Sequence, residues 1–195
     1  MGRTAVIKRE TTETKISVEL NLDGEGKAAI ATTIPFLDHM FSLLAKHGRF
    51  DLRVESTGDT EVDDHHLSED LGICMGRAVK EALGNKEGIA RYGEATVPMD
   101  ESLCAVSLDI SGRPYLIFNA GFETGKIGKF DPALFKEYFK AFSDHSGMTL
   151  HINLLYGNNN HHMAEAIFKA LARALRKAAT IDGDIKGVLS TKGVL

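Results

Sequence analysis

The pattern His-His-x-x-Glu occurs twice in this sequence, at residues 65–69 and again at residues 161–165. Imidazole nitrogens and carboxylate oxygens are common ligands of divalent transition metals. Positions three or four apart share one face of a helix, whereas neighbouring positions point about 100° apart. Either histidine of a pair can therefore face an ion together with the glutamate, but the two histidines of a pair cannot easily bind the same ion. A single copy would be better explained by a polar helix start, whereas two copies with the same spacing favour two metal ions.

Both copies begin a segment whose apolar residues recur with helical spacing, so each pair is predicted to lie in the first turn of a helix. Asp64 and Asn160, directly before the pairs, are residue types that favour the N-cap position. When the two repeats are aligned, the helix predicted from Pro35 matches the helix predicted to begin at Asp131, and His39 falls at the position of Glu137. If His39 binds one ion, Glu137 is the candidate for the equivalent place at the other.

These helices belong to an order of elements that repeats, which predicts an α+β fold made by internal duplication of a β-β-α-β-α half. Each half is expected to hold two helices, and a turn at 23–26 predicts a hairpin between the second and third strands of the first half. The predicted units are a first repeat over 1–87, a second over 88–180, and a C-terminal tail over 181–195. Strands are predicted at 4–9, 15–22, 27–33, 50–55, 88–98, 103–110, 115–122 and 148–155, and helices at 35–48, 65–83, 131–144 and 160–180.

The C-terminal tail carries Ser190-Thr191-Lys192-Gly193, a cluster of hydroxyl, ammonium and backbone N–H donors. Such donors suit an anion such as phosphate. A solvated polar tail explains the same composition. Both interpretations stay open on the residues alone.

Composition and charge exclude several classes of protein. The 195 residues carry a net charge of −4, which argues against a general nucleic-acid binder. No apolar segment approaches the roughly 20 residues that cross a bilayer, and the first residues lack the apolar region of a signal peptide. The two cysteines, Cys74 and Cys104, are predicted to be buried thiols. The expected protein is soluble and cytoplasmic, with no membrane partner.

Several segments together resemble the imidazoleglycerol-phosphate dehydratase family over essentially the whole chain. They are Pro35–Met40, Asp64–Asp70, Arg91–Gly93, Ser111–Tyr115, Asn160–His162 and Ser190–Leu195. The resemblance implies dehydration of imidazole glycerol phosphate to imidazole acetol phosphate, in histidine biosynthesis. It also implies that each half is a four-stranded sheet with helices on one face, and that the helices of the two halves pack together. Two manganese ions per active site and a homo-oligomer of 24 chains, with ligands drawn from neighbouring chains, are expected as well.

The same resemblance implies residue roles, carried over position by position. Glu13 is the candidate general base and His47 the candidate acid. Many relatives have histidine where this chain has Glu137, and a carboxylate is also a plausible manganese ligand. The implied metal ligands are His39, His65, His66, Glu69, Glu137, His161, His162 and Glu165, and the implied catalytic residues are Glu13, His47, Glu69 and Glu165. The implied substrate contacts are Glu13, His39, His47, His65, Arg91, Arg113, His161, Lys169, Ser190 and Lys192.

Two other functions fit the paired histidines without the resemblance. A dinuclear metallohydrolase also needs two metals bound by histidines and carboxylates. A metal-storage or assembly protein needs only the metal ligands, and that interpretation leaves the anion-binding residues without a purpose. Binding of a phosphate ester would separate the enzyme from the storage protein.

Overall fold

Two four-stranded sheets, each carrying helices on one face, make up the part of the chain that the computed structural model describes, residues 2–195. The elements of the first half are β1 (Thr4–Glu10), β2 (Thr14–Asn21), β3 (Ala28–Ala31), α1 (Pro35–Gly48), β4 (Asp51–Gly58) and α2 (His65–Leu83). Those of the second half are β5 (Tyr92–Met99), β6 (Ser102–Asp109), β7 (Tyr115–Asn119), α3 (Leu134–Ser146), β8 (Thr149–Tyr156) and α4 (Asn160–Ala179). The predicted duplication and the four-stranded sheets are confirmed, with each half in the order β-β-β-α-β-α.

The strand order is the same in both sheets, β1-β2-β4-β3 and β5-β6-β8-β7. β3 runs parallel to β4, and β7 parallel to β8, while the other neighbours are antiparallel. The predicted hairpin between β2 and β3 is therefore wrong. Because β1 and β4 occupy both edges of β2, β3 pairs instead with the far edge of β4, which the chain reaches through α1. A parallel pair needs such a crossover, whereas a hairpin turn can join only antiparallel strands.

The two halves meet through their helices, as the resemblance implied. α1 packs against α4, and α2 packs against α3. Gly72 and Gly76 permit the second contact, because a Cβ at these positions would lie 2.4 Å from the carbonyl oxygen of Tyr138 and 2.6 Å from that of Phe142. Each helix that begins with a His pair thus lies beside the first helix of the other half. Within residues 2–195, no helix combines the length and apolar character needed to cross a bilayer.

The two helices with the His pairs begin differently relative to the prediction: Asp64 occupies the N-cap position of α2 as predicted, whereas α4 is capped one residue earlier, by Asn159. The side chain of Asn159 accepts hydrogen bonds from the backbone N–H groups of His161 and His162, at 2.9 and 3.4 Å, and Asn160 is the first helical residue. In α2, Asp63 accepts from the backbone N–H of His65 at 2.7 Å, while the side chain of Asp64 makes no capping bond. Asp and Asn side chains accept readily from the N–H two residues further on, which explains why Asn159 caps α4 and why Asp63, next to the N-cap Asp64, bonds to the start of α2.

Gly93 should tolerate no side chain, because β5 passes very close to α4. A Cβ on Gly93 would lie 1.9 Å from the carbonyl oxygen of Ala174, a backbone atom that cannot move away without shifting α4. We expect Gly93→Ala to lower the free energy of unfolding by about 3 kcal/mol, near the upper end for overpacked sites. Denaturant unfolding measures this, with Gly183→Ala as the control, since nothing lies within 4 Å of a Cβ there. Equal midpoints for the two variants would contradict the expectation.

Candidate metal centre and active site

Three of the predicted metal ligands meet where α1 packs against α4. The Nε2 atoms of His39 and His161 lie 2.9 and 3.0 Å from the same oxygen, Oε1 of Glu165. One ligand atom from each residue lies within 4.8 Å of the others. Glu165 is buried, whereas the side chains of His39 and His161 are 43% and 44% exposed. Two nitrogens and one carboxylate oxygen converging in this way fit a divalent transition metal ion.

The carboxylate of Glu165 is kept ionised by its surroundings. Burial alone would raise its pKa, but hydrogen bonds from Lys169, His39 and His161 outweigh that effect and lower the pKa to about 2. Lys169 Nζ lies 2.6 Å from Oε2, so the two oxygens have separate partners. Oε1 faces the histidines while Lys169 fixes Oε2, which leaves Oε1 as the oxygen available to a metal.

The low pKa of Glu165 makes the metal-free protein sensitive to acid. Because the pKa falls from its usual 4.5 to about 2 on folding, the stabilisation is complete above pH 4.5 and is lost as the pH falls through 2. We expect this group to contribute on the order of 2–3 kcal/mol to that loss. Denaturant midpoints of chelator-treated protein between pH 5 and pH 2 measure it. Glu165→Gln should flatten the slope, and parallel curves for variant and wild type would contradict this account.

The second predicted set lies on the equivalent helix pair, α2 and α3. His65 Nε2 lies 3.7 Å from Glu69 Oε2, on the shared face that the spacing predicts. Glu137 is half-buried on α3, the helix that packs against α2. Among the residues that the structure describes, only the first cluster brings three ligand atoms close together. The second set shares a helix pair without closing into such a cluster.

The second histidine of each pair points to a different carboxylate. His66 Nδ1 lies 3.0 Å from Asp59 Oδ2, and His162 Nδ1 lies 2.7 Å from Glu101 Oε2. These carboxylates raise the pKa of both histidines, chiefly through the hydrogen bonds. The rings of His161 and His162 are nearly perpendicular, at 86°. The structure therefore agrees with the expectation that the two histidines of a pair do not bind one ion together.

Four of the predicted substrate contacts line one groove of about 850 Å³ beside the C-terminal tail; they are Arg91, Arg113, Ser190 and Lys192. Arg91 contacts both carboxylate oxygens of Asp109, at 2.7 and 3.0 Å, and donates to the carbonyl oxygen of Leu189 at 2.7 Å. It therefore ties the tail to the second sheet. The side chain of Arg113 is 64% exposed, which leaves it accessible to an anion in the groove.

Glu13 and His47 lie outside both the cluster and the groove. Glu13 precedes β2, and its Oε2 lies 3.9 Å from His66 Nδ1. His47 lies in the last turn of α1, where burial lowers its pKa first, followed by the charges of Lys169 and Arg173. A lowered pKa favours the neutral form of His47. Its role as the acid stays a prediction.

Three carboxylates at these sites were not predicted: Asp59, Glu101 and Asp109. For Glu101 a signal exists in the repeat, because it directly precedes β6 as Glu13 directly precedes β2. For Asp59 and Asp109 the sequence holds no comparable signal. Their roles depend on loops and strand ends that are brought together only by folding.

The site therefore consists of a candidate metal cluster between the helices of two duplicated α+β halves and a groove lined by arginine and lysine beside the tail. A family model described as imidazoleglycerol-phosphate dehydratase matches residues 32–175. The chain belongs to that family. The dehydratase function predicted from the sequence is thereby confirmed, and the hydrolase and storage alternatives lose their basis.

Curated relatives and solved structures agree with this assignment. Imidazoleglycerol-phosphate dehydratase of Syntrophus aciditrophicus is 62% identical over 99% of this chain and 98% of its own length. The enzyme of the same name from Shouchella clausii is 58% identical over the full length of both. A crystal structure of the Staphylococcus aureus enzyme is 41% identical with a TM-score of 0.81, covering 91% of this chain and all of its own. One from Pyrococcus furiosus, in complex with (S)-C348, is 39% identical with a TM-score of 0.84, covering 97% and 100%.

Proposed function

We propose that this chain removes water from imidazole glycerol phosphate to give imidazole acetol phosphate, with manganese bound by its paired histidines and glutamates. The observation that carries the proposal is the convergence of His39, His161 and Glu165 in a chain of this dehydratase family. Family membership supports the reaction and its place in histidine biosynthesis. It also supports the cytoplasmic location predicted from the sequence.

Two manganese ions are proposed for each active site. His39, His161 and Glu165 would hold one ion between α1 and α4, and His65, Glu69 and Glu137 would hold the other on α2 and α3. Mixed imidazole and carboxylate ligands are compatible with manganese. When bound, manganese supplies Lewis acidity that favours the deprotonated form of the substrate's imidazole ring.

The remaining two histidines, His66 and His162, are proposed to complete metal sites of neighbouring chains. Support comes from their direction, because each ring turns away from its neighbour in sequence and toward a carboxylate outside the cluster. Sites shared in this way require an oligomer. The predicted particle of 24 chains meets that requirement and stays a prediction.

The chain's own side chains are proposed to position the substrate and move its proton. The phosphate would bind in the groove of Arg113, Ser190 and Lys192, where planar guanidinium and ammonium groups suit its oxygens. Glu13 is the proposed general base. Its side chain is 52% exposed and its carboxylate has no hydrogen bond within residues 2–195, so it is free to take a proton from carbon. His47 is proposed as a substrate contact.

Metal-dependent turnover tests the proposal. Protein stripped with a chelator should be inactive on imidazole glycerol phosphate and should regain activity as Mn²⁺ is restored in steps to two ions per chain. A parallel titration with Mg²⁺, which prefers oxygen ligands, serves as the control and should restore much less activity. Full binding of Mn²⁺ without dehydration of this substrate would refute the proposed reaction.

A further inference from the structure

We propose that Asp59 and Glu101 are positioning residues that orient His66 and His162 for metal binding, and that this arrangement leaves Glu13 free for the substrate. The inference rests on the proposed function, since it takes both histidines as metal ligands. Metal-binding histidines commonly donate their second N–H to a carboxylate, which fixes the tautomer and the ring orientation. The two halves of this chain provide that carboxylate from different places.

In the second half the carboxylate comes from the turn between β5 and β6. Glu101 Oε2 lies 2.7 Å from His162 Nδ1, and Oε1 accepts from the hydroxyl of Ser102 at 3.0 Å and from the backbone N–H of Asn159 at 3.1 Å. An ionised carboxylate only accepts hydrogen bonds, so Nδ1 carries the proton and the lone pair of Nε2 is available to a metal. Asp100 Oδ2 lies 3.9 Å from Nε2.

In the first half the carboxylate comes from the loop after β4. Asp59 Oδ2 lies 3.0 Å from His66 Nδ1. The backbone N–H of Asp59 donates to the carbonyl oxygen of Glu13 at 3.1 Å, which fixes the loop against the turn before β2. His66 is therefore oriented by Asp59, while the carboxylate of Glu13 stays 3.9 Å from the same nitrogen.

The difference between the halves has a structural cause in the repeat. Glu13 and Glu101 each directly precede the second strand of their half. Asp59 is the first residue after β4, but the first residue after β8 is Gly157, which has no side chain. A Cβ at Gly157 would lie 2.5 Å from the hydroxyl of Ser102, so the second half has no room for a counterpart of Asp59. Glu101 therefore orients the histidine in the second half, whereas in the first half Asp59 does so and Glu13 does not.

Substitutions of the two glutamates, which lie at equivalent places in the repeat, should therefore have different effects, one on the affinity for Mn²⁺ and the other on kcat. Glu101→Ala should weaken the affinity for one Mn²⁺ about 10–100-fold, the usual cost of losing such a partner, and should regain normal kcat in excess Mn²⁺. Glu13→Ala should keep the wild-type affinity for Mn²⁺ and lose kcat at any Mn²⁺ concentration. Glu101→Gln should rescue most of the affinity, because its amide oxygen still accepts from Nδ1.

The test uses the full chain, with free Mn²⁺ measured by electron paramagnetic resonance and turnover measured at limiting and saturating Mn²⁺. Glu94→Ala is the matched control, since Glu94 lies on β5 and pairs with Lys177 at 2.8 Å. Its affinity and kcat should match the wild type. Asp59→Ala tests the positioning role in the first half, and it provides the test if Glu101→Ala does not fold.

The possible outcomes separate this inference from the function on which it rests. Wild-type Mn²⁺ affinity in folded Glu101→Ala or Asp59→Ala, alongside an active wild type, would overturn the positioning role and leave the proposed function intact. Lost affinity that excess Mn²⁺ restores to full kcat would support the positioning role. A wild type that binds no Mn²⁺ would refute the metal centre itself, and the positioning role with it.

Discussion

Replacing Glu165 with Ala should abolish turnover and lower the affinity for one of the two proposed Mn²⁺ ions by more than 100-fold. Loss of a group that only supports a ligand costs about 10–100-fold in metal affinity, so loss of the ligand itself should cost more. The variant also leaves the ammonium of Lys169, 2.6 Å from Oε2 in the native chain, without its carboxylate partner beside the site. The two histidines would then face a positive charge, which further opposes a cation.

Metal content after dialysis, together with turnover, measures this effect. Glu81→Ala is the control, because Glu81 is an exposed glutamate near the end of α2. We expect the control to keep both metal ions and full activity. A Glu165→Ala variant that retains two tightly bound ions would exclude the cluster between α1 and α4 as a metal site.

Replacing Glu13 with Gln should lower kcat by about 10²–10⁴-fold, the range that a general base contributes, while both Mn²⁺ ions stay bound. The amide keeps the size of the side chain but cannot take a proton. Because the carboxylate of Glu13 makes no hydrogen bond within residues 2–195, its loss should disturb little of the fold. Steady-state kinetics at saturating Mn²⁺ give kcat, and the melting temperature reports any loss of stability.

Glu10→Gln is the matched control for Glu13→Gln. Glu10 is the last residue of β1, next to the turn that contains Glu13. It pairs with Lys15 at 3.5 Å, and 70% of its side chain is exposed. Its kcat should equal that of the wild type. Undiminished turnover in Glu13→Gln would remove Glu13 as the base and leave the metal centre untouched.

Local patterns in the sequence predicted the elements that carry the site. The apolar spacing after each His pair, with glycine at the end of the first segment, predicted α2 nearly to the residue. The His-to-Glu spacing predicted that His161 and Glu165 share a face, and they do, at 3.0 Å. These properties depend on residues within one helical turn of each other, so the sequence alone contains them.

Contacts between distant segments were predicted less well. The hairpin of β2 and β3 was wrong because the pairing of β4 with both strands is set by the packing of the whole sheet. His39 reaches Glu165 across 126 positions, and only the repeat and the family resemblance pointed to that contact. Asp59 lies in a loop and Asp109 at the end of a strand, and no spacing rule relates either residue to the side chain that it contacts.

The repeat itself was informative in two ways. It predicted Glu137 as the counterpart of His39, and the structure puts α3 against α2 as α1 lies against α4. It also relates Glu13 to Glu101, a correspondence whose meaning depends on Gly157 and Asp59 in the loops. A duplicated sequence predicts which positions are equivalent, but the residues around each position decide whether the two equivalent residues have the same function.

Anomalous diffraction at the manganese absorption edge, from crystals grown with Mn²⁺, tests the central claim most directly. We predict one strong peak between His39, His161 and Glu165, and a second peak beside His65, Glu69 and Glu137. Density from His66 or His162 of a neighbouring chain at either peak would identify the shared ligands. Manganese peaks elsewhere on the protein, with none at the first cluster, would contradict the account.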